Sequence, residues 1–486
     1  MSELVYATPH GVGTLEPTQA AGWADHTAAL AIFGALVMNF DGASGRMGYF
    51  PWLAERVDAV DALTWEIALR PGLTFHNGER LDAEALRFSF ARILAPEFPS
   101  RRYFHTAPIA GLDVLSPLVL RVTTSRPIAI FPARLFRADG APVAPRHYGA
   151  VTRPDDPVGA GPFRFVSHEP GDRLTLARFD SFADGRGLPD FERLVLRTVH
   201  DPSELLAEMA AGRIDIAPIQ PDQREAVEAL AGWRVVCGPD TSRMSFEFNQ
   251  SAHPALTDRR VRQAINHGID VEALRLQLTQ GAGERIASLV NPPNADPEIA
   301  PYRYDPSFAR TLLAEAGFAD GFPMAIDWST GPDRGALAEA LVPYLEALGI
   351  AVTGVHERDW SSAYLPGQVA GTLAGLHGHG HAGVEMTAET DLWPLHPERE
   401  ANSTNWTGPE AERFVTLYQQ LQQTTDPSAQ RQLGNALQRI THEEALSVPF
   451  WQMPRYVAVG PRVRHFRPYP GGHNEDFSSI RMAGGL

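Results

Sequence analysis

Three histidines stand at alternate positions in the run Leu376-His377-Gly378-His379-Gly380-His381. Neutral imidazole is a ligand for nickel, copper and zinc, so the composition is that of a metal-chelating segment. On an extended backbone alternate residues share a face, which would present all three rings together. The competing reading is a polar, glycine-rich loop whose imidazoles face solvent or a bound molecule. No Glu-x-x-His or zincin pattern accompanies the triplet, so hydrolytic metal chemistry lacks its base. Other enzyme signatures fail too. There is no Gly-x-Ser-x-Gly elbow, and all 42 basic residues are arginine, which excludes a Schiff-base lysine, a pyridoxal-phosphate anchor and a phosphate-loop lysine. One cysteine, Cys237, excludes an internal disulfide and a cysteine-based zinc site. A net charge of −16 argues against nucleic acid or an anionic membrane as partner.

The elements that must position such groups can be read along the chain. At 486 residues, two or three domains are expected. No apolar run reaches the roughly 18 residues of a membrane span, and Met1-Ser2-Glu3-Leu4-Val5-Tyr6 lacks the basic start and apolar core of a secretory signal. Leu4 to Ala7 reads as a short strand, Ala28 to Met38 as a helix, and Asp82 as the cap of a helix running to Ile93. Pro157-Val158-Gly159-Ala160-Gly161-Pro162 leads into a hairpin: a strand at Phe163 to Val166, a Glu-Pro-Gly-Asp turn, and a second strand to Arg178. Its Gly-x-Gly is not a dinucleotide loop, because Pro162 follows and no helix opens there. Further on, a strand within Leu188 to Val199, a helix capped by Asp201 and a strand at Arg213 to Ala217 form a βαβ-like unit. Helices are expected over Leu337 to Leu348, Glu410 to Gln423 and Asp426 to Glu444, with strands at Ile350 to Val355, Ser447 to Trp451 and Arg455 to Val459.

Several of these segments follow one another at a characteristic spacing. Trp52-Leu53-Ala54-Glu55, Thr64-Trp65-Glu66, Leu69-Arg70-Pro71-Gly72, Phe75-His76-Asn77-Gly78 and Leu81-Asp82-Ala83-Glu84 resemble the signature of the extracellular solute-binding proteins that deliver peptides, opines, nickel chelates and some oligosaccharides to ABC importers. Four more segments agree. Gly11 to Pro17 resembles that family's Thr-Leu-Asp-Pro loop, with Glu16 in place of Asp. Val158 to Asp172 resembles its Gly-Thr-Gly-Pro-Tyr/Phe hairpin. Phe248-Asn249 with Asp258 to Asn266 resembles Phe-Asn followed by Asp-x-x-Val-Arg-Gln-Ala-Ile. Asp305-Pro306 to Phe318 resembles Asp-Pro-x-x-Ala-x-x-Leu-Leu-x-x-Ala-Gly.

The resemblance implies an α/β, two-lobed periplasmic-binding-protein (type II) fold with an additional inserted small α/β domain. Lobe I would comprise residues 1–29, 156–245 and 456–486, the inserted domain 30–155, and lobe II 246–455. It implies a non-enzymatic, cofactor-free, monomeric binding component. Such a component captures a small carboxylate-bearing solute in an interlobe cleft by hinge closure and presents it to membrane permease subunits from the periplasm, or tethered outside the cell. A His-dependent metalloprotein or metalloenzyme built on the triplet is the alternative. In many members the triplet's position reads Trp-Gly-x-Asp and begins a ligand-facing loop; here His379-Gly380-His381 takes that place. Nickel-chelate members place a ligand-binding Arg close to Arg137, where a guanidinium could hold a carboxylate bidentately or simply make a surface ion pair. The same resemblance nominates His10, Trp23 and His26 on one lobe and Phe246, Trp360, His377, His379, His381 and Trp393 on the other. Tyr103 is read either as an aromatic wall or as plain packing.

Overall fold

The computed structural model describes residues 2–20, 22–95, 109–150, 155–292, 294–330, 334–382, 385–470 and 475–484. They form two compact units, Met1–Pro239 with Arg455–Leu486, and Asp240–Pro454. Two strands carry the chain across those boundaries: Arg234–Phe248 on the way out and Ser447–Val459 on the way back. The second was expected as two short strands. It runs unbroken because Pro449 and Pro454 lie within extended backbone, which suits their fixed φ.

In the first unit a mixed sheet is ordered Ser447–Val459, Ile216–Ile219, Glu3–Thr8, Arg193–Thr198, Arg173–Arg178, Phe163–Glu169. Glu3–Thr8 runs parallel to both Arg193–Thr198 and Ile216–Ile219. It is buried on both faces, Leu4 and Tyr6 joining one apolar cluster and Val5 and Ala7 another. That is why its sequence is a continuous apolar run. The helix Pro202–Ala210 is capped by Asp201, whose Oδ1 accepts from the Ser203 and Glu204 amides at 2.8 and 2.9 Å. Asp201→Ala should therefore lower stability, read as a shifted urea midpoint with an unchanged slope.

The first helix lies earlier than the apolar composition of residues 28 to 38 suggests. It spans Trp23–Phe33 and stops at Gly34, whose φ of 69° is a left-handed conformation that ends helices. Val37–Phe40 is already a strand. Residues 54 to 124 then build an inserted antiparallel sheet, ordered Ala54–Ala59, Thr64–Leu69, Val119–Thr124, Ile109–Ser116, with the Asp82-capped helix Ala83–Leu94 packed on it. The chain returns through the expected hairpin, Phe163 facing Arg178 and Glu169 facing Arg173 across a turn at Gly171.

The Gly-x-Gly before that hairpin is demanded by crowding. Gly161 donates its amide to the Ile32 carbonyl at 2.9 Å, and a Cβ on Gly159 would lie 2.2 Å from the same oxygen. Two strands of chain meet the end of the first helix there, at a distance only glycine tolerates.

The second unit has the sheet order Ala351–Arg358, Pro323–Ser329, Leu376–Ala382, Arg234–Phe248. Pro323–Ser329 is parallel to both its neighbours, and Leu376–Ala382 is antiparallel to Arg234–Phe248. Helices Arg259–Gly268, Pro306–Glu315 and Arg334–Ala347 supply Val261, Ala264, Ile265, Leu313, Leu337 and Leu341 to its core. A second cluster joins Leu289, Leu392, Trp406, Phe414, Tyr418 and Leu437 around helices Pro409–Gln423 and Pro427–Glu443.

Candidate functional site

In the first unit the loop after the first strand is fixed by two carboxylates. Asp25 accepts from the amides of Gly13 and Gly22 at 2.7 and 3.2 Å, tying the loop to the helix start. Glu16 accepts both Nη groups of Arg92, at 2.8 and 2.7 Å, and the Thr18 hydroxyl at 2.9 Å. On this scaffold His10 is exposed, Trp23 is half-buried against the core, and His26 is buried one turn further along the same helix. Positions 23 and 26 share a helix face. Arg137 is 3% exposed, 3.7 Å from Asp139, and precedes the Ala138–Gly140 turn that packs on this helix. The structure thus gathers Trp23, His26 and the Arg137 turn in one neighbourhood. Tyr103 lies outside the described residues.

In the second unit the chemistry collects on one face of Arg234–Phe248. From position 243 the strand and the residue that follows it alternate Arg243, Ser245, Glu247 and Asn249 with Met244, Phe246 and Phe248. Strand side chains alternate between faces, so the polar set shares one side and the apolar set the other. All four polar residues are nevertheless buried. Phe246, expected to touch ligand, is on the apolar side: it is 1% exposed and meets Phe450 edge-on at 5.9 Å. That is a correction, and the strand pleat is its cause.

Buried polar groups call for partners, and this row finds some of them. Ser245 donates to Glu247 at 2.9 Å. Arg243 Nη1 lies 3.0 Å from Oδ2 of Asp391, on the short helix Ala388–Leu392, and the Asn291 amide donates to the same oxygen at 2.9 Å. Burial pushes the Asp391 carboxyl up, and Arg243 opposes that shift. Burial likewise holds the Arg399 guanidinium below its usual range, with Glu247 as the chief opposing charge.

Across the ladder the histidine strand pairs with this row residue for residue: His377 opposite Glu247, His379 opposite Ser245, His381 opposite Arg243. His377 is 1% exposed and uses both ring nitrogens internally. Nε2 donates to the Ser403 carbonyl at 2.6 Å, which leaves Nδ1 to accept from the Tyr364 hydroxyl at 2.8 Å. Burial lowers its pKa, in keeping with this neutral form. With neither nitrogen available, His377 is a structural residue and not a ligand-facing one. Among the described residues no group of three or more His, Cys, Asp or Glu could hold a metal ion.

Two of the nominated aromatic residues do present surface. Trp360 is 42% exposed and stacks on Tyr364 at 5.6 Å, in a π-helical turn. Trp393 is 39% exposed and leans over His396 at 5.0 Å and Tyr418 at 5.9 Å. Trp406 and Trp451 are core residues. Arg243, Glu247 and Asp391 were not anticipated. The signal for the first two was present: charged residues at alternate positions between phenylalanines mark a strand with a buried polar face.

The profile of the bacterial extracellular solute-binding proteins, family 5, matches residues 48–395. The glutathione-binding protein GsiB of Salmonella paratyphi A is 27% identical over 470 residues, covering 92% of this chain and 88% of that protein. Among solved structures, HbpA2 from Haemophilus parasuis superposes with a TM-score of 0.85 at 20% identity, over 99% of this chain and 100% of the other. NikA from Brucella suis, solved with Fe(III)-EDTA, gives 0.84 at 22% identity with the same coverage. At these identities the two structures speak for the type II periplasmic-binding-protein fold.

Proposed function

Because the chain belongs to family 5 of the bacterial extracellular solute-binding proteins, and is thereby a substrate-binding component of an ABC importer, we propose that it captures a small carboxylate-bearing solute without transforming it. Peptide-like molecules, opines and metal chelates are the classes in view. The observation that carries the carboxylate is Arg243, a guanidinium buried on the polar face of Arg234–Phe248 with part of its donor capacity unused. A planar guanidinium held in this way suits a carboxylate better than a point charge does. The names of two relatives point the same way: glutathione and Fe(III)-EDTA are both polycarboxylates. Trp23, His26, His10 and Arg137 from the first unit, and Trp360, Trp393, His379 and His381 from the second, are the further candidate contacts. The protein acts as a monomer in the periplasm, or tethered outside the cell, and hands its solute to permease subunits.

Native mass spectrometry of protein purified without denaturation tests this reading. A low-mass solute retained at one per chain is expected, and its re-addition to stripped protein should stabilise the fold by about 2.7 kcal/mol at a hundredfold excess over Kd. Chemical conversion of that solute by the purified protein would sink the non-catalytic reading.

A further inference from the structure

Asn77 is followed by glycine, and no other asparagine of the chain is. It is also exposed, as is Gly78, whereas Asn39, Asn249, Asn266, Asn291 and Asn402 are buried. The two residues form the tip of a small hairpin. Phe75 donates its amide to the Glu79 carbonyl at 2.8 Å, and its own carbonyl accepts from the Gly78 amide at 2.9 Å. Gly78 has a φ of 84°, a conformation natural to glycine, and a Cβ built on it would meet nothing within 4 Å. Open space surrounds that position, so the tip can open without disturbing the core.

An asparagine side chain is open to attack at Cγ by the backbone nitrogen of the next residue, and glycine leaves that nitrogen least hindered. We propose that Asn77 is a site of spontaneous deamidation. The Gly78 nitrogen bonds to Cγ of Asn77 and gives up its proton, while Nδ2 departs as ammonia. Water then opens the succinimide at one of its two carbonyls. Breaking the bond to Cγ leaves aspartate; breaking the bond to the backbone carbonyl carbon leaves isoaspartate. One water is consumed and one ammonia released, with no oxidant or reductant. Because the Gly78 N–H is held by the Phe75 carbonyl, the reaction proceeds through the opened tip.

The product acts on a second element. Asn77 Nδ2 donates to Glu79 Oε1, and Asn77 Oδ1 accepts from the Glu79 amide at 3.1 Å. Glu79 Oε2 in turn accepts the Arg146 amide at 3.0 Å, in the first turn of the helix Pro145–Ala150. Such amides have no partner within their own helix. Aspartate at position 77 replaces the donor with a second anion beside Glu79, and like charges repel. Glu79 is thereby drawn off the Arg146 amide, and a chemical change at the tip loosens the start of a helix elsewhere in the sequence.

Peptide mapping of the full chain during storage at neutral pH tests the reaction. Aspartate and isoaspartate should accumulate at position 77 at least tenfold faster than at any other asparagine, and faster still in sub-denaturing urea. Asn77→Gln, whose longer side chain needs a slower six-membered closure, should show neither product there. Asn77→Asp stands in for the aspartate product and separates the reaction from its consequence: hydrogen exchange at the Arg146 amide should quicken at least threefold. A position 77 no more deamidated than the buried asparagines overturns the site. Unchanged Arg146 exchange in Asn77→Asp overturns its link through Glu79 to the helix.

Discussion

Replacing Arg92 by alanine is expected to lower the free energy of unfolding by about 3–5 kcal/mol. Both side chains of the Arg92–Glu16 pair are almost fully buried, at 6% and 4% exposed, and the contact is bidentate. The guanidinium also covers the Tyr148 ring at 4.8 Å. Alanine at position 92 strands the Glu16 carboxylate in a desolvated site where, among the described residues, the Thr18 amide and hydroxyl remain as its side-chain donors. Removing both charges is a different experiment: Glu16→Leu with Arg92→Met should recover most of the loss, because desolvation of two ions is then avoided. Urea unfolding of the three variants decides it. A loss below about 1 kcal/mol in Arg92→Ala would mean that the pair behaves as a surface ion pair.

The second large effect is on pH. His76 donates from Nε2 to the Gly161 carbonyl at 3.0 Å, and burial depresses its pKa from 6.5 to about 4. The folded protein therefore holds His76 neutral where the unfolded chain protonates it. Between pH 6.5 and 4 the unfolded state binds more protons, so stability falls as pH falls, by about 3 kcal/mol across the window for this one residue. His377, His396 and His442 are depressed in the same direction, also chiefly by burial. Arginine-held carboxylates such as Glu208, at about 2, contribute with the same sign but only below their ordinary value of 4.5. Unfolding measured at pH 7.5, 6 and 5 thus isolates the histidines. His76→Gln should flatten the slope by up to one proton, and an unchanged slope would show that His76 does not carry it.

Much of the frame was legible because local rules and tertiary demands agree in it. Asp82, Asp201 and Asp426 each cap the helix that their neighbours' spacing announces, and the Glu-Pro-Gly-Asp turn makes the hairpin it promises. The first helix misled because alanine-rich composition extends past Gly34, and only the backbone conformation there shows where the helix ends. The candidate site was less legible, and for two reasons. Phe246, nominated as a ligand contact, lies one position from the polar row, and a shift of one residue on a strand exchanges core for polar face. Asp391 was passed over because its role depends on Arg243, 148 positions away, a pairing that no local pattern reveals. His377 shows the converse: its spacing promised a ligand, but Tyr364 and Ser403 reach it from other segments and occupy both nitrogens.

The arginine-only composition and the solitary thiol have a practical consequence. Cys237 is exposed, on Arg234–Phe248, three residues before Asp240 begins the second unit. Maleimide chemistry therefore delivers one dye or spin label to one of the two strands joining the units, with no background cysteines to remove. Amine-reactive reagents find no lysine anywhere in the sequence. The natural protein is already laid out as a singly addressable optical probe, on which solute capture can be followed without engineering the binding residues.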